Sequence, residues 1–359
     1  MIEIMSDSLN TYSNNAVDLL KKLIATPSFS KEEDKTADII QEFLEEKGVK
    51  TNRYLNNIWA ANFYFDESKP TILLNSHHDT VKPNKGYTLD PFSPIENDGR
   101  LYGLGSNDAG GCLVSLIATF LHFYDKKELK YNLIIAATAE EEISGSNGVE
   151  ILLPRLPEID FGIVGEPTLM NMAVAEKGLL VLDCTSHGKA GHAAREEGDN
   201  AIYKALKDIE WFRTYKYDKV SDLLGPMKMS VTIINAGTQH NVVPHECKFT
   251  VDIRVNELYS FEEVLDIIRS NVECEVQPRS IRLRSTAIAV DHPLVNAGIE
   301  LGRTYYGSPT TSDKALMKFP ALKIGPGDSA RSHTADEYIF VGEVSKGIAT
   351  YVELLKKVL

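Results

Sequence analysis

Basic residues are in deficit in this 359-residue chain: 38 Lys and Arg stand against 51 Asp and Glu, for a net charge of −13. That balance argues against nucleic acid or an anionic membrane surface as a partner, since both need a basic footprint. Long apolar runs are missing as well. The longest, Cys112 to Phe123, is too short to span a bilayer and is interrupted by Ser115, Thr119 and His122. The first residues, Met1 to Asp7, lack both the basic start and the apolar stretch of an export signal, so a cytoplasmic location is expected. Cysteine is scarce, and Cys112, Cys184, Cys247 and Cys274 form no CxxC pair. They are expected to be buried free thiols in a reducing compartment, neither ligands nor bridges. No internal repeat, low-complexity tract or disordered linker interrupts the chain.

What is present is enough for two domains of ordinary composition, 43% hydrophobic and 25% charged. The spacing of Ala16, Leu19, Leu20 and Leu23 predicts a helix over Ser13–Ile24, and a second follows over Lys31–Lys47, stopped by Gly48. Strands then alternate with helices: Thr71–Asn75, a helix over Gly110–Phe123, Leu133–Thr138, a helical segment near Gly148–Leu153, and Phe161–Val164. This order predicts an α/β fold with a mostly parallel sheet flanked by helices. From about Val174 the rhythm changes to strand Leu179–Ser186, helix Asn200–Tyr215, strands Met227–Ile234 and Cys247–Val255, helix Phe261–Ser270 and strand Glu275–Arg284. That β-α-β-β-α-β order is the ferredoxin-like split unit, an α+β insertion. The expected division is residues 1–173 and 288–359 for the first domain and 174–287 for the insertion. A last helix is expected over Val341–Val358.

The chemistry-bearing residues sit at the downstream ends of apolar runs. Thr71–Asn75 leads to His77, His78 and Asp79; Leu133–Thr138 leads to Glu140, Glu141 and Glu142; Phe161–Val164 leads to Glu166; Ala321–Ile324 leads to a glycine-rich loop and His333. A tight turn, Gly103 to Asn107, delivers Asp108. In an open α/β sheet such positions converge on one crevice. Two imidazoles and several carboxylates meeting there suit a pair of zinc-like ions. In an extended segment His77 and Asp79 face the same way, so Asp79 can orient a metal-bound His77 from behind, while His78 points elsewhere. Asp108 occupies the third-glycine position of a G-x-G-x-x-G pattern, which disfavours a nucleotide-binding reading; it could bridge two cations, cap the next helix, or both. Glu141 and Glu142 point to opposite sides, leaving one for metal and one for protons. In the insertion, His192, Asn241 and Arg254 form a polar set, and Arg254 on a sheet face can clamp a carboxylate.

Taken together, Ser76-His77-His78-Asp79-Thr80-Val81, Tyr102 to Asp108, Thr138-Ala139-Glu140-Glu141-Glu142, Gly165-Glu166-Pro167-Thr168, Gly191-His192, Asn241-Val242-Val243-Pro244, Asp252-Ile253-Arg254 and the late His333 resemble, in order, the motifs of the di-zinc aminoacylase/carboxypeptidase family. That family includes N-acetylornithine deacetylase and succinyl-diaminopimelate desuccinylase. The resemblance covers nearly the whole chain. It implies a zinc-peptidase α/β domain with an inserted ferredoxin-like lid that dimerises. It also implies two Zn2+ ions, replaceable by Co2+ or Mn2+: one held by His77 and Glu166, the other by Glu142 and His333, with Asp108 shared. Asp79 would orient His77, Glu141 would serve as general base and acid, and His192 would act in the partner subunit of a homodimer. Arg254 and Asn241 would bind the carboxylate of a small N-acyl amino acid. Two positions depart from the common pattern: Asp108-Ala109-Gly110-Gly111 lacks the basic residue frequent there, and Glu140 stands where Asp is commoner.

The expected reaction is metal-dependent removal of an acyl group from an N-acyl amino acid, N-acetylornithine or a close relative in arginine biosynthesis. Asp313 could face a cationic substrate side chain or cap a helix. Desuccinylase, N-acyl-lysine or N-acylcitrulline deacylase and dipeptidase activities are alternatives. A catalytically dead dimeric scaffold is the non-enzyme alternative, disfavoured because every ligand candidate and Glu141 are present.

Overall fold

A computed structural model describes residues 7–359, so most of the N-terminal segment read for an export signal, Met1–Ser6, lies outside the described residues. The described chain divides into two compact units. One comprises residues 7–174, Ile288–Tyr306 and Ser312–Leu359, the other Ala175–Ala287 and Gly307–Thr311. The short return at Gly307–Thr311 carries no sequence signal that separates it from its surroundings.

The first unit is built on a sheet whose order runs Asn52–Tyr54, Asn57–Ala61, Asn132–Thr138, Thr71–His77, Phe161–Val164, Ala321–Lys323 and Met172–Glu176. Thr71–His77 is parallel to both Asn132–Thr138 and Phe161–Val164, and Ala321–Lys323 is parallel to Phe161–Val164. Every residue of Thr71–His77 and Asn132–Thr138 is buried, as expected for parallel strands covered on both faces. Alternation divides their side chains. Ile72 and Leu74 join the core formed with helices Asp7–Ile24, Gly111–Phe123 and Val341–Lys356, through residues such as Leu20, Leu116, Phe120 and Ile348. Leu73, Ile134 and Ala136 face the other way, onto Val149, Leu152 and Met317. Each such aliphatic side chain contributes roughly 1.5–3 kcal/mol by leaving water.

The helices differ from the sequence reading mainly at their ends. The first begins at Asp7, six residues earlier than Ser13, and buries Ala16, Leu19, Leu20 and Leu23 as its spacing requires. The second starts at Asp34 instead of Lys31, because Lys31 takes a left-handed φ of 77° and its amide is held by the Glu33 carboxylate. Gly48, at φ 77°, supplies the left-handed residue just past its end. The segment near Gly148 forms only one turn, Val149–Leu152, before a 3-10 turn containing Pro154.

The second unit carries a four-stranded antiparallel sheet ordered Lys228–Ala236, Glu246–Val255, Gly178–His187, Glu275–Pro278. With helices Ala201–Thr214 and Phe261–Arg269, this is the β-α-β-β-α-β arrangement. Leu180, Leu182, Val251 and Ile253 pack under Ala205, Phe212, Val264 and Ile268. The last strand ends at Pro278, not at Arg284: the Arg279 amide still donates to the Val181 carbonyl at 2.9 Å, and a loop follows. All four cysteines are free; Cys274 is only half-buried, the others buried. Among the described residues no helix is long and apolar enough to cross a membrane.

Tyr351 shows how the last helix is tied to the sheet: it is fully buried and its hydroxyl donates to the Ile324 carbonyl at 2.5 Å. Tyr351→Phe keeps the ring and orphans that carbonyl. Urea denaturation of the variant is expected to show a loss of about 1–3 kcal/mol; unchanged stability would show the bond to be dispensable.

Candidate metal centre

Seven sequence-predicted residues meet at the C-terminal ends of the parallel strands. His77 is the last residue of its strand and is buried. Its Nδ1 lies 3.0 Å from the Asp79 carbonyl and 3.4 Å from Asp79 Oδ1. Its Nε2 faces Asp108 Oδ1 at 3.4 Å, Glu166 Oε1 at 3.8 Å and Glu141 Oε2 at 3.9 Å. On the other side, His333 Nε2 is 3.0 Å from Glu142 Oε2 and 3.6 Å from Asp108 Oδ2. Asp108 therefore offers one oxygen to each imidazole. Ligand atoms of His77, Asp108 and Glu142, and those of His77, Glu141 and Glu166, each lie within 4.8 Å of one another.

Local backbone chemistry produces these directions. Gly105 takes φ 74°, where a Cβ would come within 2.6 Å of Thr80 Cγ2, so the turn before Asp108 needs glycine. Asp108 itself has φ −115° and ψ 98°, and its peptide to Ala109 is cis. It does not cap the following helix, whose N-cap Gly110 has no side-chain bond. Non-glycine residues take left-handed φ at two of the site's loops, Glu140 at 56° and His333 at 60°, at a cost of about 1–3 kcal/mol each. At Glu140 this bend turns the side chain back onto the Asn147 amide and Nδ2. The three adjacent glutamates thus diverge: Glu140 into the loop, Glu141 toward His77 and Glu166, Glu142 toward His333.

Asp79 does more than face His77. Its Oδ1 accepts the Glu141 amide at 3.1 Å, and its Oδ2 accepts the Glu142 amide at 3.2 Å and the Ser30 hydroxyl at 2.7 Å. One buried carboxylate thereby fixes the imidazole and the two glutamates beside it. His78 points away and is hydrogen-bonded to Thr36 Oγ1 and the Asn56 carbonyl; burial pushes it down to about 4, so it stays neutral. Ser30 and Glu33, whose carboxylate accepts the Glu140 amide, were not legible as site residues. Their contacts join residues 49 and 107 positions apart, and no local pattern marks them.

Asp313 requires a correction. It is buried in a 3-10 turn, and its Oδ2 accepts from Asn75 Nδ2 at 3.0 Å and Thr138 Oγ1 at 2.8 Å. It ties the two central strands together, is not the N-cap (Ser312 is), and its carboxylate is not turned out to meet a substrate cation. In the second unit, His192 is exposed on a two-residue ladder with Val242–Val243, and the Ala193 amide donates to the Asn241 carbonyl at 3.0 Å. The Arg254 guanidinium is engaged by Asp252, Nε–Oδ1 at 2.8 Å and Nη2–Oδ2 at 3.0 Å.

The cluster's electrostatics show what it needs. Burial pushes Glu166 up to about 8, with the Asp108 charge adding to it, and burial likewise holds Glu141 well above the usual carboxylate range. The bond to Glu142 raises His333 to about 9. Burial opposes protonation of His77, but Asp108 and Asp79 together with the Glu141 and Glu166 charges raise it well above normal. Crowded carboxylates and imidazoles that hold protons near neutrality are suited to exchanging them for divalent cations. Imidazole and carboxylate donors in this mixture fit zinc, cobalt or manganese.

A cup lined by buried His77, the more exposed His333 and convergent carboxylates, with a further carboxylate alongside, is the centre of a metal-dependent hydrolase. Residues 73–357 match Peptidase family M20/M25/M40, and the chain belongs to that family. It is similar to a succinyl-diaminopimelate desuccinylase of Wolbachia pipientis, 26% identical over 95% of this chain and 92% of the relative. An acetylornithine deacetylase of Proteus mirabilis is 28% identical over 90% and 91%. The fold is shared with the YXEP protein of Bacillus subtilis, described as a dinuclear metal binding peptidase, with TM-score 0.74 and 17% identity over 98% of this chain and 99% of that one.

The pKa shifts set a test on the metal-free protein. Glu166, ordinarily near 4.5 and about 8 here, keeps a proton that the unfolded chain releases, so metal-free stability falls as pH rises between those values. His333, raised from 6.5 to about 9, contributes stability that is complete below 6.5 and lost as pH climbs through 9. Chelator-treated protein is expected to melt lower at about pH 8.5 than at about pH 6.5, and Zn2+ should raise Tm more at the higher pH while releasing protons. Equal Zn2+ shifts at both pH values would show that these groups do not take up the metal.

Proposed function

We propose that the protein hydrolyses the amide of a small N-acyl amino acid, with N-acetylornithine or a close relative as the first candidate. The observation that carries this reading is the division of Asp108's two oxygens between His77 and His333 while Glu141 stands beside them. His77 and Glu166 would hold one divalent ion, Glu142 and His333 the other, and Asp108 both. When bound, two such ions, zinc in our reading, supply Lewis acidity for the carbonyl oxygen and for water.

The remaining steps belong to the chain. Glu141, the carboxylate without a ligand role, takes a proton from the attacking water as the new C–O bond forms. As the C–N bond breaks, Glu141 returns that proton to the departing nitrogen; the new acid's own proton passes to the amine or to solvent, leaving a carboxylate. Asp79 keeps this geometry by holding the Glu141 amide and the His77 ring at once. His192 would donate to the developing oxyanion in the partner subunit of a homodimer formed through the second unit. Arg254 and Asn241 would receive the substrate carboxylate. Their support is the family resemblance, the exposure of His192, and the Ala193–Asn241 bond that keeps His192 and Asn241 on adjoining backbone. A cytoplasmic location and a place in arginine biosynthesis fit four free cysteines and the Proteus relative.

A second reading, desuccinylation of succinyl-diaminopimelate, is favoured by the Wolbachia relative. A hydrolysis screen of Zn2+-loaded protein over acetylated ornithine, citrulline and lysine and succinyl-diaminopimelate separates the two. Acetylornithine is expected to be cleaved fastest; a clear preference for the succinylated substrate would install the second reading. Glu141→Ala and His192→Ala should each lose at least about 100-fold in kcat with metal content intact. Mixed and re-associated, they should recover about a quarter of wild-type activity, because half the dimers then carry one complete site. No recovery would rule out action across the dimer.

A further inference from the structure

Asp108 can serve two ions only if its carboxylate is held side-on between His77 and His333, yet its own turn is irregular and its side chain caps no helix. The restraint comes from Glu337. That residue is 1% exposed, and its Oε1 accepts both the Asn107 amide at 2.8 Å and the Asp108 amide at 2.9 Å. Its backbone carbonyl accepts the Gly103 amide at 2.9 Å, so side chain and main chain grip the same turn at both ends. Glu337 forms no ion pair with a basic side chain among the described residues. Its side-chain hydrogen bonds are to main-chain amides, and a buried carboxylate used this way makes strong, directed acceptor bonds. Without such use, burying it would be costly.

Its position in the chain gives the contact further meaning. Glu337 lies four residues after His333 and directly before strand Tyr338–Phe340, which pairs with Arg100–Tyr102, the strand that feeds the Asp108 turn. A second strut joins the same two loops: Asn107 Oδ1 accepts the Asp328 amide at 3.1 Å, and its Nδ2 donates to the Asp328 carbonyl at 3.0 Å. The loop carrying His333 is thus fastened to the turn carrying Asp108 on both sides of the histidine, by Asp328 before it and Glu337 after it.

We propose that Glu337 is a positioning residue that locks the Asp108 turn to the His333 loop and thereby sets the affinity for the ion shared by Asp108, Glu142 and His333. The assignment rests on the two-ion reading. Glu337 touches neither substrate nor ion; it acts through the Asp108 backbone.

The test is Zn2+ titration of metal-free wild type, Glu337→Ala and Glu337→Gln against a competing chelator, with melting curves alongside. Wild type is expected to take up two ions. Glu337→Ala should bind the first as wild type does and the second about 10–100-fold more weakly. Glu337→Gln, which keeps an acceptor and loses the charge, should fall between them. Wild-type affinity for both ions in Glu337→Ala overturns the proposal, as does equal weakening of both. Should the alanine variant not fold, the glutamine variant decides alone, and an unchanged second affinity there overturns it. Wild type that takes up fewer than two ions would overturn the two-ion reading, and this assignment with it.

Discussion

Mutual repulsion among carboxylates is the constraint around which the first unit is organised. Asp79, Asp108, Glu141, Glu142 and Glu166 crowd a largely buried space shared with two imidazoles, buried His77 and the more exposed His333. Water could screen such charges at a surface, but here burial drives Glu166 and Glu141 upward and forces protons onto the cluster. Divalent cations relieve that tension more completely than protons, because each replaces several at once. The rest of the unit supplies the rigidity that keeps the groups from moving apart. Fully buried parallel strands fix His77 and the start of the glutamate loop, and the Asp79 carboxylate ties them together by accepting main-chain amides.

Much of this was legible in the sequence because parallel strands leave a simple signature. Short apolar runs such as Thr71–Asn75 and Leu133–Thr138 end where polarity begins, and in an α/β sheet those ends converge. The alternation rule correctly turned His78 away from His77, and the separation of Glu141 from Glu142 is visible in their different neighbours. The parts that were not legible depend on distant partners. Nothing local to Asp313 distinguishes an exposed substrate contact from a buried tie to Asn75 and Thr138. Glu33 reads as an ordinary residue near a helix start, yet it holds the Glu140 amide more than a hundred positions away. The strand after Glu275 was overextended because its polar alternation runs on to Arg284, whereas the chain leaves the sheet after the Arg279–Val181 bond.

The second unit raises a different problem. Its β-α-β-β-α-β order makes a self-sufficient core, with helices on one face of a four-stranded sheet. The polar residues His192, Asn241 and Arg254 are carried on it, the last engaged by Asp252. In the proposed reading, the strand ends of the first unit carry the chemistry and these residues serve substrate selection. Selection between acetyl and succinyl groups would then reside in shape and charge around those residues.

The central claim is that one anionic cup holds two divalent ions with Asp108 between them. Anomalous diffraction from crystals of Zn2+-loaded protein, recorded at the zinc edge, tests it most directly. The account predicts two peaks flanking the Asp108 carboxylate, one against His77 and Glu166, the other against Glu142 and His333. A single peak, or peaks remote from Asp108, would contradict it.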